Sequence, residues 1–122
     1  MSKILITDDN DPFRKVLADI LTEEGYDVYE AAQGVEALEI LTETDIDLIL
    51  LDLIMPEMEG IETLGHISTK FTGIPVIMMS GDSQRIDTEF YLKLAGRFGA
   101  KAILQKPFHM QEVSNLIETY LS

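Results

Sequence analysis

The sequence predicts an α/β fold, a (βα)5 doubly wound parallel five-stranded sheet, and three observations lead to that prediction. Short, continuous apolar runs recur along the 122 residues, segments with helical spacing lie between them, and the connections are short. Continuous apolar runs are typical of strands that are buried on both faces beneath helices. Alternation of strand and helix then predicts right-handed crossovers and an open sheet within a single domain.

Five strands are expected, three of them from strong signals. Ile4–Ile6, Leu48–Leu51 and Val76–Met79 are apolar throughout rather than alternating, which favours strands covered on both faces. Tyr26–Tyr29 and Lys101–Leu104 carry fewer apolar residues and are the weaker candidates. With a helix after each strand, the pattern repeats five times.

The first helix is predicted by an apolar stripe about 100° wide, in which residues recur three and four positions apart. That stripe consists of Phe13, Val16, Leu17, Ile20 and Leu21. We expect Asp11 to cap this helix, Pro12 to occupy its first turn and Gly25 to end it. The four further helices are marked by Val35, Leu38 and Leu41; by Ile61, Leu64 and Ile67; by Ile86, Phe90, Leu94 and Phe98; and by Met110, Val113, Ile117, Tyr120 and Leu121.

Composition argues against several classes of protein. The chain has 9 Lys and Arg against 22 Asp and Glu, a net charge of −13 at pH 7, which argues against direct binding of nucleic acid. It has no cysteine, so disulfide scaffolds, thiolate zinc sites and cysteine nucleophiles are excluded. No apolar run approaches the roughly 20 residues of a membrane span and no secretion signal is visible, so a cytoplasmic protein is expected.

Chemically active side chains follow four of the predicted strands. After the first strand come Asp8 and Asp9, after the third Asp52, after the fourth Ser80 and after the fifth Lys106. Because ligands of an open parallel sheet bind beyond the carboxyl ends of its strands, we expect these groups to converge. Hard carboxylate oxygens suit Mg²⁺, and an aspartate nucleophile with a metal, an ammonium and a hydroxyl can move a phosphoryl group.

With these residues in place, the sequence resembles the receiver domain of bacterial two-component response regulators over essentially its whole length. The matching motifs are Asp8-Asp9, the run from Leu51 to Gly60, Ser80-Gly81 and Lys106-Pro107-Phe108. Each motif alone is weak, but the four together in this order and spacing are specific. The resemblance implies the flavodoxin-like strand order 2-1-3-4-5.

The resemblance also implies the phosphoryl chemistry. Asp9 and Asp52 would ligate Mg²⁺ with Asp8 alongside, and the backbone carbonyl of Ile54 would complete the protein ligands. Asp52 would accept phosphate from a phosphohistidine on a sensor histidine kinase or a histidine phosphotransfer protein. Transfer would be partly self-catalysed and the acyl phosphate would hydrolyse slowly, so the protein would not be a turnover enzyme.

The resemblance also implies a conformational switch and assigns roles in it to further residues. Ser80 would reorient to hydrogen-bond the phosphoryl oxygens, and Lys106 would pair with them. The bond between Lys106 and Pro107 is a candidate for the cis form. Ile103 stands where the family often has a tyrosine or phenylalanine that swings inward, so this position would repack without an aromatic ring. The chain between Ser80 and Lys106 is also a few residues longer than is common, and we place the extra length between Gln84 and Gly99.

We therefore expect one receiver domain over residues 1–122 with no output domain, acting as a phosphorylation-controlled interaction switch. Its downstream protein, whose identity is unknown, would dock on the face formed by the fourth predicted helix, the fifth strand and the fifth predicted helix. The protein would be a monomer or a phosphorylation-dependent homodimer, with no direct contact to nucleic acid or membrane.

Three alternatives stay open at this point. One is a pseudo-receiver that binds partners without being phosphorylated. A second is a small phosphatase of the haloacid dehalogenase type, because Asp9-Asn10-Asp11 reads Asp-x-Asp after the first strand; Pro12 directly follows, however, and Asp52 would be unexplained. A third is a flavin electron carrier, although its phosphate loop should be rich in Ser, Thr and Gly, whereas this loop is acidic.

Overall fold

The computed structural model describes residues 1–53, 59–81, 93 and 96–121 of the chain. Within them lie five strands, which are β1 (Lys3–Thr7), β2 (Asp27–Ala31), β3 (Leu48–Asp52), β4 (Val76–Ser80) and β5 (Ala102–Gln105). The helices described are α1 (Asp11–Glu23), α2 (Gly34–Glu43), α3 (Glu59–Lys70) and the C-terminal helix α4 (Met110–Leu121). Among these helices, none has the length and apolar composition that a bilayer crossing requires.

All five strands are parallel and form one sheet in the order β2-β1-β3-β4-β5. The predicted fold class and strand order are therefore confirmed. Four of the five predicted helices are present. Ile86, Phe90 and Leu94, three of the four residues that mark the remaining helix, lie outside the described residues, whereas residues 93, 96 and 97 are helical. The last marker, Phe98, is 38% exposed.

The sheet separates two apolar clusters, one on each face. Successive residues of a strand point to opposite faces, so in β1 the side chain of Leu5 joins one cluster while Ile4 and Ile6 join the other. Residues of α2 and α3 cover the first cluster, and residues of α1 and the C-terminal helix cover the second. This two-sided burial is the reason that β1, β3 and β4 read as continuous apolar runs.

The edge strands depart from their predicted bounds. The sequence placed them at Tyr26–Tyr29 and Lys101–Leu104, whereas β2 and β5 both begin one residue later and extend further. Three of the five residues of β2 and two of the four residues of β5 are only partly buried. Apolar patterning therefore marks their ends less sharply than those of the central strands.

Residues at the two ends of α1 fix its bounds, and one predicted cap is wrong. Asn10, not Asp11, is the N-cap, because its side-chain oxygen accepts a hydrogen bond from the Phe13 N–H at 3.1 Å. Asp11 is the first helical residue, where its carboxylate meets the positive end of the helix dipole. Gly25 directly follows the C-cap with φ of +101°, which confirms that it ends the helix.

The buried face of α1 is rotated from the predicted stripe. Its buried residues are Arg14, Leu17, Ala18 and Leu21, whereas Val16 is 58% exposed. The prediction that Val16 faces the core is wrong because a charged residue, Arg14, takes the inward position. Val35 of α2 is likewise exposed despite its apolar spacing.

Gly60 in the first turn of α3 allows the helix to approach the end of β3. A Cβ at this position would overlap the backbone carbonyls of Asp52 and Leu53. We expect Gly60→Ala to lower the free energy of unfolding by about 1–3 kcal/mol, the usual cost of overpacking, although alanine is the better helix former. Urea denaturation measures this difference.

Gly65 of the same helix provides the matched control. A Cβ there would meet only the Phe98 ring, at the ordinary contact distance of 3.9 Å. Gly65→Ala should therefore raise the free energy of unfolding by up to about 1 kcal/mol through helix propensity. Equal effects of the two substitutions would contradict the close approach of Gly60 to β3.

Candidate functional site

The parallel register brings the predicted polar residues to one edge of the sheet. Asp8 directly follows β1, Asp52 ends β3, Ser80 ends β4 and Lys106 directly follows β5. Asp52 pairs in register with Met79, so Ser80 lies one residue beyond it on the neighbouring strand. These groups lie at the carboxyl ends of the strands, where ligands of open α/β sheets bind.

Three carboxylates cluster at this edge. One oxygen from each of Asp8, Asp9 and Asp52 lies within 4.8 Å of the others. Asp8 is 0% exposed and Asp52 is 4% exposed, whereas Asp9 faces solvent. Like charges this close repel one another, and burial removes the water that would screen them. The cluster therefore requires positive charge.

Lys106 supplies part of that charge. Its Nζ lies 2.7 Å from Asp8 Oδ2 and 3.9 Å from Asp52 Oδ1, so one ammonium contacts both buried carboxylates. The same Nζ lies 4.1 Å from the centroid of the Phe13 ring. At the other end of the residue, the Lys106 backbone N–H donates to the Ser80 carbonyl at 2.7 Å. The lysine is thus fixed both at its backbone and at its charged head.

Asp8 is fixed by hydrogen bonds to its carboxylate and to its backbone. Oδ1 accepts from the Asn10 N–H at 2.9 Å, while Oδ2 accepts from Lys106. Its own N–H donates to the Ala31 carbonyl at 3.0 Å, and its carbonyl accepts from Arg14 Nη1 at 2.6 Å. These contacts tie the loop after β1 to the end of β2 and to the first turn of α1.

Arg14 is a buried cation beside the site. Besides the Asp8 carbonyl, its guanidinium contacts Asp11 Oδ1 at 2.7 Å and Glu30 Oε1 at 3.0 Å. Burial alone would lower the pKa of Arg14, but the hydrogen bonds and charges of Asp11 and Glu30 raise it further than burial lowers it. The guanidinium therefore stays charged and holds three acceptors in a fixed arrangement.

The remaining predicted site residues have different surroundings. Ser80 is buried, and its hydroxyl lies 3.5 Å from the Gly81 carbonyl oxygen. The peptide bond between Lys106 and Pro107 is cis. Ile103 of β5 is half-buried and packs against the core cluster on the α2 and α3 side of the sheet. Ile54 lies outside the described residues.

Sequence reasoning missed three supports of the site, namely Asn10, Phe13 and Arg14. Asn10 was overlooked because the adjacent Asp11 is an equally good capping residue by type. Phe13 was assigned to the core stripe, yet its ring also contacts Lys106. A signal for Arg14 was present, since it lies three and seven residues before Leu17 and Leu21 and so shares their helix face. Its partner Glu30, however, is distant in sequence.

Comparison with known proteins gives a consistent result. A family model for the response regulator receiver domain matches residues 4–118. The "Transcriptional regulatory protein CpxR homolog" of Haemophilus influenzae is 40% identical over 121 residues, which are 99% of this chain and 51% of that protein. "Sporulation initiation phosphotransferase F" of Bacillus subtilis is 35% identical over 119 residues, 98% of this chain and 93% of that protein. The chain thus spans about half of the first relative and nearly all of the second.

Solved structures show the same likeness. A CheY-like receiver domain protein from Methanospirillum hungatei superposes with a TM-score of 0.89 at 29% identity, covering 99% of this chain and 94% of that one. The response regulator TrrA from Thermotoga maritima, solved in complex with Mg²⁺ and BeF, superposes with a TM-score of 0.85 at 30% identity. That match covers 99% of this chain and 100% of the Thermotoga chain.

Replacing the buried guanidinium should destabilise the fold. In Arg14→Met the apolar stem remains, but the Asp8 carbonyl and Glu30 lose a charged donor. We expect the free energy of unfolding to fall by about 1.5–3 kcal/mol, the usual contribution of hydrogen bonds to charged groups. Chemical denaturation of the purified variant measures this change.

Lys15→Met is the control on the same helix. The Lys15 side chain is 67% exposed and its ammonium lies 4.0 Å from the same Glu30 oxygen. An exposed pair of this kind contributes little, so the free energy of unfolding should stay within about 0.5 kcal/mol of the parent value. Indistinguishable losses from the two variants would show that burial of Arg14 does not matter.

Proposed function

This chain belongs to the response regulator receiver domain family of two-component systems, and we propose that it is a phosphoryl-accepting switch whose acceptor is Asp52. Receiver domains of this kind interact with histidine kinases or phosphotransfer proteins and are generally not turnover enzymes. The observation that carries the proposal is the buried Asp52 carboxylate, which lies within 4.8 Å of Asp8 and Asp9 oxygens and 3.9 Å from the Lys106 ammonium. An anionic nucleophile and a cation thus share one edge of the sheet.

The acidic cluster fits a magnesium ion. Its three carboxylates offer the hard oxygen ligands that Mg²⁺ prefers. We assign the ligand role to Asp9 and Asp52, with Asp8 alongside and the Ile54 carbonyl as a further ligand. Both oxygens of Asp8 accept hydrogen bonds, from the Asn10 N–H and from Lys106, and these bonds fix the orientation of its carboxylate. When bound, Mg²⁺ would offset negative charge on the acceptor and on the phosphoryl oxygens. The Thermotoga relative was solved in complex with Mg²⁺ and BeF, which supports a magnesium site in this chain.

The phosphoryl step requires one bond to form and one to break. An oxygen of the Asp52 carboxylate attacks the phosphorus of a phosphohistidine on the kinase or phosphotransfer protein. The phosphorus–nitrogen bond breaks, the imidazole leaves with the bonding electron pair, and the product is an aspartyl phosphate. Lys106 and the Ser80 hydroxyl bind the phosphoryl oxygens, so the protein contributes mainly position and charge.

The position of Ser80 at the end of β4 supports the proposed switch. Its hydroxyl turns from the Gly81 carbonyl towards the phosphoryl oxygens, and the end of β4 moves with it. Ile103 pairs in register with Met78 of the adjacent strand β4, and its half-buried side chain repacks as that strand end shifts. The changed face, formed by β5, the C-terminal helix and the predicted helix before β5, would bind the downstream protein in the cytoplasm.

The phosphatase alternative has less support than the receiver assignment. An Asp-x-Asp phosphatase needs both of its aspartates at the reacting centre, and here these would be Asp9 and Asp11. Asp11 instead lies in the first turn of α1, 66% exposed, and its carboxylate binds Arg14. The carboxylates that join Asp9 in the cluster are its neighbour Asp8 and, from a different strand, Asp52.

Covalent phosphorylation is the direct test. Incubation with Mg²⁺ and acetyl phosphate should add one phosphoryl group to the chain, detected by intact mass, and Asp52→Asn should abolish the adduct. Asp45→Asn is the matched control, because Asp45 is exposed and lies before β3, at the opposite end of the strand. An unchanged adduct on Asp52→Asn would contradict the proposal, as would no adduct on the parent chain with either acetyl phosphate or a phosphorylated phosphotransfer protein.

Magnesium binding is a separate test. Asp9→Asn removes one carboxylate from the cluster and should weaken Mg²⁺ affinity by about tenfold or more. Isothermal titration calorimetry of the unphosphorylated protein measures the affinity, again with Asp45→Asn as the control. Equal affinity in the two variants would remove Asp9 from the metal site.

A further inference from the structure

We propose that Phe13 is a positioning residue for Lys106. The face of its ring holds the lysine ammonium by a cation–π interaction at the acidic edge, the end of the sheet where the carboxylates of Asp8, Asp9 and Asp52 cluster. The expected effect of Phe13 on the rate of phosphorylation rests on the proposed function, since it requires Lys106 to contact the phosphoryl group. The placement of the ammonium does not rest on that function and can be measured in the resting protein.

The lysine head is held between a ring and two carboxylates. Its Nζ lies 4.1 Å from the Phe13 ring centroid, inside the roughly 6 Å range of cation–π contacts. The same atom contacts Asp8 at 2.7 Å and approaches Asp52 to 3.9 Å. Only 19% of the Lys106 side chain is exposed, and partial removal from water strengthens an attraction of this type.

The ring itself is fixed from two directions. The Phe13 N–H is bound by the Asn10 cap at 3.1 Å, which sets the backbone in the first turn of α1. The ring also meets Phe108 edge-on, with centroids 5.8 Å apart and planes at 77°, a favourable aromatic arrangement. Phe108 lies two residues after Lys106, so the segment that contains the lysine also contains the residue that packs against the Phe13 ring.

A neutral ring suits this position better than a further anion. The site already contains three carboxylates, and another would add repulsion and compete with Asp52 for the ammonium. The negative face of an aromatic ring attracts the cation without carrying a net charge. Lysine has a long, flexible stem, so the ring restricts the head to a position from which a small displacement reaches the phosphoryl group.

Two substitutions separate the cation–π interaction from simple packing. Phe13→Leu keeps apolar bulk but removes the ring, whereas Phe13→Tyr keeps the ring. Phe71→Leu is the matched control, because Phe71 is also half-buried but lies beyond α3, at the opposite end of the sheet from the site. Melting temperatures of the variants show whether any of them is impaired by lost packing alone.

The resting protein gives the first readout. Protons on the last methylene of Lys106 should resonate upfield of those of an exposed lysine, because this methylene is bonded to the Nζ that lies over the Phe13 ring. Phe13→Leu should return them to the ordinary position, while Phe13→Tyr and Phe71→Leu should leave them shifted. An ordinary lysine resonance in the parent protein would overturn the proposal, whatever the outcome of phosphorylation.

The rate of phosphorylation by acetyl phosphate at saturating Mg²⁺ gives the second readout. We expect Phe13→Leu to slow it about three- to tenfold, the range of a partly shielded cation–π contact, and Phe13→Tyr to restore it to within about twofold. A parent chain that is phosphorylated at the same rate as Phe13→Leu would overturn the role of Phe13 and leave the proposed function standing. Equal losses in Phe13→Leu and Phe13→Tyr would assign the effect to packing, which also overturns it.

Discussion

Compensation of buried negative charge is the constraint on which this structure depends. The parallel sheet places Asp8 and Asp52 at one edge, almost without contact to water, and a carboxylate in such a place is costly unless it is paired. Lys106 contacts both carboxylates and is anchored through its backbone to the Ser80 carbonyl. The same arrangement that stabilises the resting fold therefore brings together the groups proposed to accept and hold a phosphoryl group.

Two cations, Arg14 and Lys106, stabilise the acidic edge in different ways. Arg14 binds the Asp8 carbonyl, Asp11 and Glu30 through a planar, multiply bonded guanidinium, which fixes the loop after β1. Lys106 presents a compact ammonium on a flexible stem, which can exchange one anionic partner for another. The chemistry of each side chain suits its place, since the scaffold requires permanent contacts while the proposed phosphoryl site requires a charge that can shift.

The central strands and the site could be predicted from sequence because their signals are local. Continuous apolar runs mark β1, β3 and β4, and the polar residues directly after them converge in any parallel sheet. The orientation of α1 could not be predicted, because the inward-facing Arg14 pairs with Glu30, which lies on strand β2 and is distant in sequence. The choice of Asn10 over Asp11 as the cap, and the contact of Phe13 with Lys106, also depend on tertiary geometry.

Chemical trapping of the phosphorylated residue tests the central claim most directly. Borohydride reduces the acyl phosphate of an aspartate to homoserine and leaves a free carboxylate unchanged, so peptide mapping after reduction identifies the acceptor among the clustered aspartates. The account predicts homoserine in place of Asp52 and unmodified Asp8 and Asp9. Homoserine at Asp8 or Asp9, or stable phosphate without any homoserine, would contradict the assignment of Asp52 as the nucleophile.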